Sequence, residues 1–353
     1  MAIGRRHGRL FGGAFVVLLV ALAPFSSRAQ PAQIPAAQAQ SPRPAVAAPD
    51  DSEIEVVETN LTTILMTATD RKGRLVTTLK AEDVRVFEDD VAQRVTTFER
   101  QTERPLSLAI VFDTSGSQAR TLPDQKTAAR LFLRSIFRPD RDRAAIVSFS
   151  GGALLQQSFT NDLDALEAAV ERVDVPNPRG QGAQPGVVLT PVPSSGTAIY
   201  DALFITCYKV LTKAQPNTRR AVILLTDGLD NGSRLRPRDA INAAAYANAV
   251  VYGIGVGGII DEDALSSVAE ETAGRAFFPA NEGELRSAFA RIEEELRSQY
   301  FLTYTPTNRA RDGKRRNVRV EIADPRIVKD KTKLAYRRYY YVRKAGAARR
   351  EGR

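Results

Sequence analysis

Hydrophobic and polar positions divide the chain into three stretches of different rhythm. From Ile54 to Glu99 the period is two. Ile64, Met66 and Ala68 alternate with Leu65, Thr67 and Thr69, and Val84 and Val86 flank Arg85. Asp70-Arg71-Lys72-Gly73 and Asp89-Asp90 mark turns, and Val91 to Phe98 returns as a further strand. Short alternating runs between turn signals predict antiparallel sheet. From Leu106 the rhythm changes. Leu106 to Phe112 (LSLAIVF) and Ala221 to Leu225 (AVILL) are apolar runs without alternation, as expected of strands buried on both faces. Ala144 to Phe149 and Val250 to Val256 read as further strands, Ala153 to Phe159 as a hairpin partner, and Arg275 to Phe278 as a short edge. Between them, apolar spacing of three and four predicts helices over Pro123–Phe137, around Leu163–Val170, and over Ala198–Lys213, Pro237–Ala249, Asp263–Glu271 and Glu284–Ser298. Beyond Ser298 alternation resumes at Tyr300, Leu302 and Tyr304, then at Val318, Val320 and Ile322, and Leu334 to Val342 reads as one last strand.

The alternation of buried strands with amphipathic helices predicts an α/β fold, a doubly wound and largely parallel sheet with helices on both faces. The flanking strands are too few on either side to bury a face alone. They are expected to join in one β-sandwich-like domain into which the α/β domain is inserted. The expected organisation is a signal peptide over 1–29, a linker rich in Ala, Pro and Gln over 30–52, a β segment over 53–103, the α/β domain over 104–298, a second β segment over 299–342 and a basic tail over 343–353. The first segment carries Arg5, Arg6 and Arg9 before an uncharged run, and Ser27-Arg28-Ala29 offers small residues for cleavage. That predicts a secreted or periplasmic protein, with an uncleaved membrane anchor as the alternative.

Composition narrows the chemistry. His7 is the only histidine and Cys207 the only cysteine in 353 residues. With His7 inside the expected signal, Ser-His and Cys-His catalysis and His- or Cys-ligated zinc are excluded. The formal net charge of +9 is concentrated near the C-terminus, where residues 309–353 hold 17 basic and 5 acidic side chains. That segment offers contact to a membrane surface or an anionic polymer; no nucleic-acid partner is expected of a secreted chain.

Oxygen donors collect where buried strands end. Leu106–Phe112 runs into Asp113-Thr114-Ser115-Gly116-Ser117. Ser194-Ser195-Gly196-Thr197 precedes a predicted helix, and Ala221–Leu225 ends in Thr226-Asp227-Gly228. In an open α/β sheet these loops share the edge at which ligands bind. Asp113, Ser115, Ser117, Thr197 and Asp227 form a hard, all-oxygen donor set. Such a set suits Mg²⁺ first, with Mn²⁺ or Ca²⁺ admissible. With two carboxylates it leaves a coordination position for an oxygen from outside, such as a carboxylate on a protein partner.

The Asp113-x-Ser115-x-Ser117 motif, with Thr197 in Gly-Thr-Ala-Ile-Tyr-Asp-Ala-Leu and Asp227 in Thr-Asp-Gly, resembles the metal-ion-dependent adhesion site of von Willebrand factor type A domains. The resemblance covers about residues 104–298. The stretches Val84–Asp89 and Arg297–Pro306 are similar to a secreted, acidobacterial-type subgroup of these proteins. Gln118 stands where many bacterial members have Met, with no expected effect on the metal. The long loop 174–195, rich in Pro and Gly, is expected near the metal face. The resemblance implies a non-enzymatic, metal-dependent binding or adhesion module. Two alternatives stand beside it: a metal-dependent hydrolase using Asp113 and Asp227, and a scaffold that binds partners away from the metal. The partner's identity and the oligomeric state stay open.

Overall fold

Leu106–Asp113 (β5) runs through the middle of a seven-stranded sheet, with every residue buried. The computed structural model describes residues 61–100, 104–176, 186–190 and 196–342. The expected signal, linker and basic tail lie outside the described residues, as does most of loop 174–195.

The sheet also contains Arg143–Phe149 (β6), Ala153–Thr160 (β7), Val187–Val188 (β8), Arg219–Thr226 (β9), Ala249–Gly255 (β10) and Ala276–Phe277 (β11), in the order β11-β10-β9-β5-β6-β7-β8. The five strands from β11 to β6 are parallel, and β7 and β8 are antiparallel additions at one edge. Side-chain alternation along β5 sorts two cores. Leu106, Leu108, Ile110 and Phe112 pack toward Leu122–Ile136 (α1), Leu163–Arg172 (α2) and Glu282–Ser298 (α6). Ala109 and Val111 point to the other face, against Ile199–Ile205 (α3), Pro237–Tyr246 (α4) and Glu262–Glu271 (α5). Small residues on β5 and α4, including Ala240, Ala243 and Ala244, let that helix layer approach closely. Cys207 is buried in this second core, which pushes its thiol up to about 12 and leaves it a packing residue.

The flanking segments share two four-stranded antiparallel sheets. One has the order β14-β1-β12-β4, from Lys333–Tyr336 (β14), Thr62–Thr69 (β1), Tyr300–Tyr304 (β12) and Val95–Arg100 (β4). The other has the order β15-β13-β2-β3, from Tyr339–Tyr341 (β15), Arg315–Ile322 (β13), Val84–Glu88 (β2) and Val91–Gln93 (β3). Ile64, Met66, Leu302 and Tyr304 from one sheet and Val84, Val86, Val318 and Val320 from the other form a single core. Each sheet thus draws two strands from before the α/β unit and two from after it; they alternate in the first sheet, and in the second they meet at the β13–β2 pair. The turn between β2 and β3 is tight because Asp89 and Asp90 both take positive φ (45° and 64°), as a two-residue hairpin requires.

Four expectations differ in detail. Val91 to Phe98, expected as one strand, is two, β3 and β4, in opposite sheets, with the crossing at Arg94. The run Leu334–Val342 is two strands, β14 and β15, in opposite sheets; the chain crosses at Arg337-Arg338, which a period of two cannot reveal. The stretch Ala198–Lys213 is α3 followed by a wider π turn at Thr206–Val210 and a 3₁₀ turn at Leu211–Lys213. The extra residue in the wide turn keeps Cys207, Val210 and Leu211 together on the core side. Helix α4 stops at Tyr246, because Asn248 adopts φ +51° and β10 starts immediately after. Pro325–Lys329 (α7) is a short helix that periodicity did not reveal; the Asp324 side chain caps it by accepting from the Arg326 N–H.

Candidate metal centre

The chain leaves β5 toward β6 on one side and later returns to β9 on the other. That reversal of strand order opens a crevice at the carboxyl ends of β5 and β9. Register decides what faces it. Phe112 lies opposite Leu225, so Asp113 and Thr226 meet at the rim. Thr226 Oγ1 donates to Asp113 Oδ2 at 2.6 Å, and the Ser115 amide donates to Asp113 Oδ1 at 2.8 Å. Asp227 follows directly. Its Oδ1 accepts from the Leu229 amide and its Oδ2 from Gln118 Nε2, both at 3.1 Å. The Ser115 and Ser117 hydroxyl oxygens lie 3.0 Å apart on the solvent side, Ser115 half-buried and Ser117 exposed.

Thr197 reaches this edge through the loop after β9. Asn231 Oδ1 accepts from the Thr197 amide at 2.7 Å, and the Asn231 and Gly232 amides donate back to the Thr197 carbonyl. Asp230 Oδ1 accepts from the Ile199 amide at 2.8 Å and holds the first turn of α3 beside the loop. The main chain of Thr197 is therefore fixed, while its side chain makes no direct hydrogen bond to Asp113 or Asp227 among the described residues.

Electrostatics supply the test of fit for a cation. Asp113 is fully buried and Asp227 is 2% exposed. Burial pushes the Asp113 carboxyl up to about 6, against the hydrogen bonds from Thr226 and Ser115, and the Asp227 charge adds to the rise. The hydrogen-bond partners of both carboxylates are neutral amides and a hydroxyl. Two buried carboxylates side by side with neutral partners are costly. A hard divalent ion offsets that cost, and exposed hydroxyls beside them complete an oxygen donor set. Among the described residues no group of three or more His, Cys, Asp or Glu side chains gathers for a metal. What the rim offers instead is two carboxylates with hydroxyls beside them.

Gln118 ties this centre to its support. It is fully buried, and its amide donates to Asp227 Oδ2 and to the Val256 carbonyl, each at 3.1 Å. Its Oε1 accepts from Gln125 Nε2 at 2.9 Å and from Thr121 Oγ1 at 3.1 Å. One side chain joins the β5 loop, the ends of β9 and β10, and α1. The sequence carried a signal, a polar residue in place of Met, but no indication that it meets Asp227. Replacing Gln118 with Met takes one hydrogen bond from each of four partners, although Gln125 Nε2 keeps Thr121 Oγ1, and Thr121 Oγ1 keeps the residue 118 carbonyl. We expect a loss of about 1–3 kcal/mol in stability and roughly tenfold weaker Mg²⁺ binding, measured by urea melts and calorimetry. Unchanged affinity would show that Asp227 needs no such anchor.

Comparison with known proteins follows the same part of the chain. The von Willebrand factor type A domain family matches residues 107–291, a little over half of the chain. No curated protein sequence matches. Among solved structures, proximal thread matrix protein 1 of the mussel byssus is similar at 21% identity and a TM-score of 0.45, over 59% of this chain and 50% of its own. The chain thus spans about half the length of that protein. BatB, a conserved hypothetical protein from Bacteroides thetaiotaomicron, is similar at 20% identity and a TM-score of 0.42, over 54% of this chain and 97% of its own. A von Willebrand factor type A protein from Catenulispora acidiphila is similar at 14% identity and a TM-score of 0.45, over 81% of this chain and 73% of its own.

Proposed function

The chain belongs to the von Willebrand factor type A domain family, and on that premise we propose that it is an extracytoplasmic binding module in which a divalent ion grips an acidic group of a protein partner. Asp113, Ser115, Ser117, Thr197 and Asp227 would hold the ion, with Mg²⁺ the preferred species. Bound there, the ion supplies a Lewis-acidic position for a partner's carboxylate oxygen. The observation that carries this reading is the pair of buried carboxylates with neutral partners, next to solvent-facing hydroxyls, at the strand-order reversal. Residues 104–298 would carry the binding. Within the family we place the chain in the acidobacterial-type secreted subgroup, on the sequence similarity of Val84–Asp89 and Arg297–Pro306. Among the described residues no helix is long and apolar enough to cross a membrane.

General acid–base chemistry needs a group free to move protons near working pH. Outside the expected signal no histidine exists, and both carboxylates would be committed to the ion. Binding is therefore favoured over hydrolysis. Capture of a partner from envelope extract, with and without chelator, tests the reading. Asp227→Ala should weaken Mg²⁺ binding by about 100-fold or more, measured by calorimetry, and abolish capture as chelator does. Capture that survives chelator would point to a scaffold that binds elsewhere. Mg²⁺-dependent turnover of phosphate or ester substrates would point to a hydrolase.

A further inference from the structure

At the edge of the central sheet opposite the candidate metal centre, the amino ends of β9 and β10 face the sandwich across a hollow of about 400 Å³. Four guanidinium groups line it, those of Arg104, Arg219, Arg220 and Arg337, and no Asp or Glu is among the described lining residues. Arg104 is paired with Glu99 at 3.3 Å and lies over the Phe301 ring. Arg219, 6% exposed, donates to the carbonyls of Leu296 and Arg104. Arg337 donates to the Ala245 carbonyl at 2.6 Å and to Asn248 Oδ1 at 3.1 Å. These acceptors are neutral. Leu296 and Ala245 lie in the last turns of α6 and α4, and a helix end contributes only about half a negative charge. Two cations set against two helix ends leave an excess of about one positive charge. Burial pulls both the Arg219 and the Arg337 guanidinium down to about 10; at Arg219 the charge of Arg138 adds to the fall and that of Asp142 opposes it, and Arg138 and Asp142 are themselves an ion pair.

A second observation points into the same hollow. Thr303 is 4% exposed and lines it, yet its Oγ1 has no hydrogen-bond partner among the described residues. Buried hydroxyls are nearly always satisfied. An unpartnered hydroxyl lining the same hollow as Arg219 and Arg337, whose acceptors are neutral, is part of a donor set in want of an acceptor that carries negative charge. We propose that this hollow is a binding site for a small oxyanion-bearing molecule, of the phosphate or carboxylate class, held by Arg219 and Arg337 and by the Thr303 hydroxyl. Guanidinium forks match both oxyanions, and the volume admits a small molecule. Arg337 belongs to the crossing between β14 and β15, and Arg219 begins β9. The ligand would therefore bridge the sandwich to the α/β sheet.

The test uses the full-length protein dialysed free of metal. Inorganic phosphate and succinate are titrated by calorimetry and followed by thermal melting, with sodium chloride at matched ionic strength as control. We expect saturable, one-to-one binding of at least one of the two, with a melting shift of about 2 °C at ten times Kd, and none from chloride. Which of them binds more tightly identifies the oxyanion class. Arg337→Gln should weaken that binding at least tenfold. Thr303→Val keeps the shape of β12 and should weaken it several-fold without lowering the basal melting temperature. Asp227→Ala should leave it unchanged, which separates this site from the candidate metal centre. Absence of binding by both probes, binding retained in both the Arg337 and Thr303 variants, or binding lost in Asp227→Ala would each overturn the proposal.

Discussion

Asparagine in place of Asp113 will stabilise the metal-free protein at neutral pH and remove its response to Mg²⁺. The Asp113 carboxyl sits at about 6 in the fold, against about 3.9 in an unfolded chain. Between those values the folded protein holds a proton that the unfolded chain has released. Stability then falls as pH rises through the window. Above it the ionised carboxylate costs on the order of 3 kcal/mol when no cation is present. Asparagine removes the charge. It also gives up one acceptor for the Thr226 hydroxyl, a loss of about 1 kcal/mol. The net expectation for the metal-free variant is a gain of about 1–2 kcal/mol at pH 7.5. The gain should vanish near pH 4, where wild-type Asp113 is itself neutral. Saturating Mg²⁺ should raise the melting temperature of the wild type and leave the variant unmoved. Denaturant melts of chelated and Mg²⁺-loaded protein at the two pH values decide the matter. Equal Mg²⁺ stabilisation of both proteins would remove Asp113 from the metal centre.

The parts of this centre differ in how readable they were, for physical reasons. Asp113, Ser115 and Ser117 lie within five residues at the end of an apolar run, so their shared loop follows from local pattern. The approach of Thr226 to Asp113 spans 113 residues of chain and depends on β9 lying beside β5. Strand order of that kind follows from the packing of whole βα units, and one buried strand looks like another in sequence. Gln118 was visible only as an unusual residue. Its importance lies in four partners drawn from three other parts of the chain. The arginine-lined hollow was invisible for the same reason. Arg219 opens a strand of the central sheet and Arg337 lies in a strand crossing of the sandwich, and basic residues in such places read as solvated charge. The sandwich itself was legible as a need for partners, since neither flank buries a face alone. The splitting of Leu334–Val342 between its sheets was not, because so short a tyrosine-rich run reads as one strand even though Arg337-Arg338 interrupt it.

Alanine in place of Gly274 will be among the most damaging single-methyl additions in the chain. Gly274 follows α5, where Ala273 takes φ +70° and the Gly274 amide donates back to the Ala269 carbonyl at 2.8 Å. The turn presses directly on β10. A Cβ built at Gly274 would stand 1.9 Å from the Val251 carbonyl oxygen and 2.7 Å from its carbon. Both are main-chain atoms of a strand hydrogen-bonded to β9 on one side and to β11 on the other, so no rotamer change relieves the contact. Either the turn lifts away or β10 bends. Lifting the turn breaks the hydrogen bond from the Val251 amide to Thr272 Oγ1. Bending β10 disturbs a core strand on which every residue is buried. Overpacking of this kind costs about 3 kcal/mol and occasionally more, and here it adds to a lost buried hydrogen bond of about 1 kcal/mol. The expected fall in melting temperature is about 5 °C or more. Gly258 provides the contrast, since a Cβ there meets nothing within 4 Å. Gly258→Ala should stay within about 0.5 kcal/mol of the parent protein. Paired denaturant melts of the two variants at one pH, with Mg²⁺ absent, measure the difference. Near-equal stabilities would mean that the turn after α5 yields freely and that β10 is not clamped by it.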